Sequence, residues 1–284
     1  IIQELEGLGN NVSDANTKRE AIFKQLMPVF KKYFKGVKYE LDGSVTNGII
    51  EIFDTGSTGR GTNIANDSDF DFVLRVDREF KLNTPLFNSF ISDIYRAFGS
   101  SSSSSPVRLT DAKVEGIDEL LKIDINPIVK TNKIAYATVD CVKDKLKTIK
   151  RLHPEKYSLV VANIVYAKKL LKAAGAYKSR KVRNPQGGLG GVGVETWILQ
   201  HGGSLYDAAV SFLEVADRVN SFAEFKEAYS VFDFGKDHMS EEWNNFPYDD
   251  FVDNMDSNGY TRMRIALREY VNSLNQDFGS VGLK

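Results

Sequence analysis

Cysteine is all but missing from the chain: Cys141 stands alone among 284 residues. One thiol forms no intramolecular disulfide and no cysteine-based zinc cluster, so a reducing, cytoplasmic setting is expected. Histidine is scarce as well. His153, His201 and His238 are scattered without ligand spacing, which argues against an imidazole metal site. No stretch approaches the ~18 uninterrupted apolar residues of a membrane span. The first residues, Ile1-Ile2-Gln3-Glu4-Leu5-Glu6, have no basic flank followed by an apolar run, so neither a membrane partner nor a secretory signal is expected. A net charge of strong sign is also lacking, since 37 Lys and Arg against 38 Asp and Glu leave −1. That balance excludes a generally basic nucleic-acid coat.

What is present describes an ordinary globular chain, 42% hydrophobic and 26% charged, long enough for one large domain or two modest ones. Charge is uneven along it. Lys143 to Arg183 carries thirteen Lys or Arg against Asp144 and Glu155 only, whereas Glu214 to Asp256 is mainly acidic. A local basic surface suits triphosphates or a nucleic-acid backbone, and it also suits a solvated helix face.

The pattern changes along the chain. Ile22, Leu26 and Phe30 recur at helical spacing, predicting a helix from Thr17 to Lys35 that Pro28 kinks or bounds. Gly48 to Asp54 reads as a short strand entering a glycine-rich turn. Asp69 to Val76 alternates, with Phe70, Phe72, Leu74 and Val76 on one side, and Leu120 to Val129 alternates likewise. Pro85 to Phe98 reads as a helix, and the serine run 99–106 as a loop. Beyond Ala137 helices dominate, over 140–152, 155–174, 194–200, 204–219 and 261–274. The expected architecture is therefore an α/β (α+β) catalytic domain over 1–138, with the N-terminal helix, and a mostly helical domain over 139–284. No internal repeat is found.

Three acids carry the chemistry. Asp69 and Asp71 lie two residues apart on a strand and leave the same face, with Phe70 and Phe72 anchoring the other. Asp124 sits between Ile123 and Ile125 on a second strand. If the strands are neighbours, three carboxylates converge, a cluster that needs cations because like charges raise one another's pKa. Hard oxygen ligands favour Mg²⁺, completed by substrate phosphates. Upstream, Gly56 and Gly59 allow close backbone approach to a phosphate. Ser57 supplies a hydroxyl and Arg60 a charge. An unrelated set of surface acids is the plain alternative.

Gly56-Ser57, Asp69-Phe70-Asp71 and Ile123-Asp124-Ile125 resemble the nucleotidyltransferase signature of the polymerase-β superfamily. The resemblance implies a polymerase-β-like nucleotidyltransferase domain followed by a helical one. It implies two Mg²⁺ ions (Mn²⁺ as a substitute) on Asp69, Asp71 and Asp124, and an NTP substrate whose phosphates face Ser57. The second half resembles the archaeal-type (class I) CCA-adding enzymes through Asn126-Pro127, a short strand at Ala137-Thr138-Val139-Asp140, the helix Lys168-Lys169-Leu170-Leu171-Lys172 ending in Gly175-Ala176-Tyr177, the run Gly188 to Glu195, and Gly203-Ser204-Leu205. That branch implies Lys168 and Tyr177 as triphosphate ligands. It lacks here the Arg-Thr-Pro-Phe-His stretch, replaced by Cys141-Val142-Lys143-Asp144, and the long C-terminal tRNA-gripping part.

The leading expectation is thus a transferase that adds NMP from ATP or CTP to an RNA 3′ end, tRNA included, and releases pyrophosphate. The alternative is an oligoadenylate or cyclic-oligonucleotide second-messenger synthase, favoured by the short chain and near-neutral charge. A catalytically silent binding or scaffold protein is the third reading. Trp197 is expected in the core and Cys141 as a small buried residue. Arg262, Arg264 and Arg268 are expected either across the nucleotide cleft or against nearby acids.

Overall fold

The computed structural model describes residues 2–39, 45–46, 50–66, 69–129, 137–178, 187–234 and 250–281. They form two compact units, Gly7–Ala135 and a second made of Tyr136–Lys284 with Ile1–Glu6.

The first unit is one sheet and the helices on one of its faces. In chain order it contains most of α1 (Ile2–Tyr33), then β1 (Lys38–Tyr39), β2 (Val45–Thr46), β3 (Ile50–Asp54), α2 (Ser57–Arg60), β4 (Phe70–Val76), α3 (Arg78–Leu82), α4 (Thr84–Ala97), β5 (Val107–Ala112) and β6 (Leu121–Val129). The strands lie in the order β1-β2-β3-β4-β6-β5. Only β4 and β6 run parallel, and every other neighbouring pair is antiparallel.

Side-chain alternation explains the layering. Phe70, Phe72, Leu74 and Val76 of β4 join Ile123 and Ile125 of β6 under Ile22, Phe23, Leu26 and Phe30 of α1 and Phe90, Ile91 and Ile94 of α4. α4 starts where Asn83 accepts the Leu86 N–H at 3.4 Å, with a proline in its first turn. Its apolar residues then recur at three- and four-residue intervals, the period that buries one stripe. Gln25 staples α1 to the sheet edge: its amide donates to the Ala97 and Lys113 carbonyls at 2.6 and 2.8 Å and accepts from the Glu115 N–H at 2.9 Å.

Two expectations change here. The helix begins at Ile2 rather than Thr17 and runs through Pro28 to Tyr33, because the apolar stripe on both sides of the proline is held against the sheet. β5 was not expected. Its burial alternates over only a few residues and then breaks at an irregularity between Leu109 and Ala112, too brief a pattern to stand out beside the serine run.

The second unit is helical, as the change of period beyond Ala137 predicts. It contains α5 (Ala137–Leu152), α6 (Pro154–Ala173), α7 (Gly191–Gln200), α8 (Leu205–Arg218), α9 (Phe222–Ala228), a 3₁₀ turn at Phe251–Asn254, and α10 (Ser257–Val281). Ala137 to Asp140, expected as a strand, instead open α5. The amphipathic helix that buries Val142 and Leu146 starts there, and Asp140 adds an acid to its first turn. Trp197 is fully buried and donates its indole N–H to the Tyr229 hydroxyl at 2.8 Å, beside the packed rings of Phe212, Phe225, Tyr229 and Tyr260. Cys141 is half-buried rather than buried. Arg264 and Arg268 both meet Asp217 of α8, the structural alternative for these side chains.

Phe90 is fully buried, and its ring lies within 6.1 Å of those of Phe30, Tyr33, Phe34 and Phe80. Phe90→Ala is expected to destabilise the first unit by about 3–5 kcal/mol through lost burial and the residual cavity, read by denaturant unfolding.

Candidate active site

The face of the sheet opposite the α1–α4 core carries the acids. Parallel pairing sets Asp71 of β4 directly beside Asp124 of β6, with Phe70 beside Ile123 and Phe72 beside Ile125. Neighbouring strands are about 4.8 Å apart, so both carboxylates leave the same face within reach of one another. Asp69 precedes β4 by one residue and is flanked by Lys122, 3.9 Å away. The structure therefore gathers Asp69, Asp71 and Asp124 into one cluster.

Crowding has an electrostatic consequence. Burial, reinforced by the charges of Asp124, Asp69 and Asp54 and opposed by Arg60, pushes the Asp71 carboxyl from 3.8 up to about 7. Among the described residues no three His, Cys, Asp or Glu side chains stand as a ready metal cage. The donor set nevertheless fits a hard divalent cation. It consists of carboxylate oxygens alone, mutually repelling, and a bound cation would offset the neighbouring charges that add to burial in raising Asp71.

The glycine-serine turn is built onto the same strand. The Thr55 and Gly56 N–H groups donate to the Asp71 carbonyl at 2.9 and 3.3 Å. A side chain at position 56 would begin 2.5 Å from an Asp71 carboxylate oxygen, so only glycine lets the turn pass that close. Ser57 opens α2, and its carbonyl accepts the Thr62 N–H at 3.0 Å.

Asp54 and Arg19 were not singled out by motif, yet they hold this turn. The buried Asp54 carboxylate accepts from the Gly56 N–H at 3.2 Å, from the Thr58 hydroxyl at 3.0 Å and from Arg19 Nε of α1 at 3.1 Å. A Cβ at Gly59 would meet Asp54 at 2.7 Å. The one available signal was an acid ending a strand immediately before the turn. Arg60, expected against phosphate, is buried and donates to the Thr55 carbonyl, so its guanidinium braces the turn from beneath.

Lys168 and Tyr177 belong to the helical unit. Lys168 is 2% exposed and forms a 2.6 Å ion pair with the fully buried Glu195 of α7. Burial and this pair give the ammonium a structural role within the helical unit. Tyr177 is half-buried, pairs its backbone with Leu189, and has Lys172 Nζ 5.2 Å from its ring centre. Gly188 is a packing requirement: a Cβ there would lie 1.4 Å from the Ala176 carbonyl oxygen. Residues 179–183 of the basic stretch and 235–249 of the acidic one, His238 among them, lie outside the described residues. No helix of the described residues is long and apolar enough to cross a membrane.

No family model and no curated protein matches the sequence. Solved structures do. CdnC of E. coli MS115-1 with ATP matches at a TM-score of 0.56 and 11% identity, over 97% of this chain and 92% of that one. The same CdnC in complex with HORMA-deltaN matches at 0.44 and 14%, over 72% of this chain and 64% of that one. The c-UMP-AMP synthase CdnE of Rhodothermus marinus, with Apcpp and Upnpp, matches at 0.45 and 15%, over 95% and 96%. The first of these likenesses establishes that the chain shares the mixed α/β fold of CdnC. The CCA-adding branch finds no support among them.

The raised Asp71 predicts a pH dependence of stability. A carboxyl that titrates near 7 when folded and near 3.8 when unfolded binds more protons in the native state between those values. Its contribution is complete below about 3.8 and is lost as pH rises through about 7. Without divalent cation the melting temperature is expected to fall across that window, with Asp71→Asn flattening the decline and Mg²⁺ raising stability more at pH 8 than at pH 5. Differential scanning fluorimetry reads all three.

Proposed function

We propose that the chain is a magnesium-dependent nucleotidyltransferase that joins one nucleotide to another, a second-messenger synthase rather than an enzyme extending RNA. The observation that carries the transferase reading is the Asp71–Asp124 register, with Asp69 beside it and the Gly56–Ser57 turn hydrogen-bonded to the Asp71 backbone. The nucleotide acceptor is supported by the fold shared with CdnC, a protein solved with ATP, across nearly the whole length of both chains. It is supported too by a net charge of −1, poorly suited to holding a polyanionic acceptor. The CCA-adding reading loses its supports at Ala137 to Asp140, which are helical, and at Lys168, which is engaged by Glu195.

The reaction follows from the row of residues. Ser57 and the N–H groups of its turn receive the donor's phosphates, and Asp69 and Asp71 lie beside the α-phosphorus. The acceptor hydroxyl oxygen bonds to that phosphorus, and the bond from phosphorus to the oxygen bridging toward the β-phosphate breaks. Pyrophosphate departs with the electron pair. The hydroxyl proton passes to a carboxylate oxygen of Asp124. Two Mg²⁺ ions on Asp69, Asp71 and Asp124, or Mn²⁺ in their place, supply neutralising charge and acidify the hydroxyl when bound. Asp54 and Arg19 keep the turn fixed, so that little reorganisation accompanies phosphate binding.

The test is incubation with Mg²⁺ and each labelled NTP, with and without tRNA lacking its 3′ end, products being resolved by size. Short linear or cyclic oligonucleotides formed without RNA are the expected result. Label appearing only on the RNA would overturn the nucleotide acceptor in favour of the terminal transferase. Asp71→Ala is expected to reduce turnover at least about 10³-fold with folding retained, since metal charge stabilisation is worth several kcal/mol. Full activity in that variant would sink the metal assignment.

A further inference from the structure

On the side of the sheet away from the carboxylates, the first unit contains a cavity of about 120 Å³ that the reaction above does not use. One wall is a single stripe of α1, with Asn11, Asp14, Ala15 and Lys18 spaced three and four residues apart. Phe70 and Leu121, the first residues of β4 and β6 and both part of the core under α1, form another. A third is the segment that follows the glycine-serine turn, with Thr58, Asn63, Ile64 and Asn66.

One buried atom of this lining lacks a partner. Asn63 is 5% exposed. Its amide nitrogen donates to Asn11 Oδ1 at 3.1 Å, and its backbone carbonyl accepts from Asn11 Nδ2 at 2.9 Å. Its side-chain oxygen Oδ1 is buried and, among the described residues, accepts no hydrogen bond. The double contact with Asn11 holds the amide in place, so Oδ1 cannot turn away to another donor. A buried acceptor left dry is unfavourable, and this one calls for a donor from outside the chain.

The rest of the lining decides which donor fits. Its charges cancel, Asp14 and Glu119 against Lys18 and Lys122. Lys18 pairs with both of those acids, and Lys122 lies 3.9 Å from Asp69. A phosphate or a free cation therefore finds no unmatched charge. Between the polar groups the surface is apolar, from Ala15, Ile64, Phe70 and Leu121. One water needs only ~10–15 Å³ of such space, so about 120 Å³ suits a molecule of roughly ten heavy atoms. A neutral planar ring with an N–H on its edge meets all three conditions. Nucleobases carry that edge as an amino group or a ring N–H, and asparagine is an amide that reads it.

We infer that this cavity is a regulatory site for a nucleobase, which donates an N–H to Asn63 Oδ1, lays its ring on the apolar lining and meets the exposed Asn66 amide at the mouth. Regulation follows from what the lining is attached to. The Thr58 hydroxyl donates to Asp54 at 3.0 Å, and Asp54 in turn accepts from the Gly56 N–H of the turn. Phe70 stands between Asp69 and Asp71 in the chain. An occupant packed against Thr58 and Phe70 therefore stiffens the turn and the acids from behind. This holds whichever acceptor the enzyme uses.

The experiment titrates the full chain with adenosine, guanosine, cytidine and uridine by calorimetry, without divalent cation. Wild type is expected to bind at least one of them with a Kd below about 1 mM. Ala15→Leu, which fills the cavity, is expected to weaken that binding about tenfold or more. Asn66→Gly keeps the left-handed backbone at φ 60° and removes the amide, and is expected to weaken it about threefold. Thermal unfolding checks that both variants fold, and should Ala15→Leu fail, Asn66→Gly carries the comparison. Amide hydrogen exchange over residues 55–62 is expected to slow at least about twofold with nucleoside bound. Failure of all four nucleosides to bind overturns the proposal. So does equal binding by all three proteins, which would place the nucleoside elsewhere, and so does binding without slower exchange. Nucleoside-soaked crystals showing only water on Asn63 Oδ1 overturn it too. None of these readouts needs turnover, so their outcome is separate from that of the reaction proposed above.

Discussion

Two carboxylates held side by side on parallel strands repel each other, and the rest of the first unit is arranged around bearing that repulsion. The Asp71–Asp124 neighbourhood exists because Phe70, Phe72, Ile123 and Ile125 are locked into the opposite face beneath α1 and α4. A one-residue slip of β6 would exchange its buried and exposed faces, so the core cannot relax the acids apart without exposing isoleucines. Burial and that repulsion together push the Asp71 carboxyl up to about 7.

The same logic explains the turn. Gly56 packs against the Asp71 side chain and Gly59 against Asp54, so the glycine-serine turn is held between two carboxylates. Arg19 reaches from α1 to Asp54 at 3.1 Å and also donates to the Thr58 carbonyl at 3.3 Å. Arg60 lies beneath and partly offsets the negative charge at Asp71. Cations inside the scaffold stabilise its geometry, whereas Arg108 and Lys122 are exposed. The helical unit keeps a buried pair of its own, Lys168 with Glu195, 2.6 Å apart.

Much was legible from residue order alone. Period two at Phe70 to Val76 and at Leu121 to Val129 marked both carboxylate strands, and the period change beyond Ala137 marked the helical half. Short elements were not legible. β5 is too brief, and α2 is a single turn of four residues whose geometry comes from its Asp54 and Asp71 anchors. The Ala137 to Asp140 segment misled because a Val-Asp pair fits a strand end locally, while its place in α5 depends on the stripe that follows.

The sequence by itself determined the face each acid takes, since Asp71 and Asp124 alternate with apolar residues of their strands. It also determined the two-part layout, because hydrophobic period is a local property. Only the tertiary structure decided which residues act together. That Asp124 pairs with Asp71 depends on a parallel register between strands some fifty residues apart, and that Arg108 stands opposite Asp124 depends on an antiparallel one. The fates of Lys168 and Arg60 were decided there as well, because burial is set by neighbours that are remote in the chain. A lysine written as a phosphate ligand and a lysine written as half of a buried ion pair are the same letter until folding supplies Glu195.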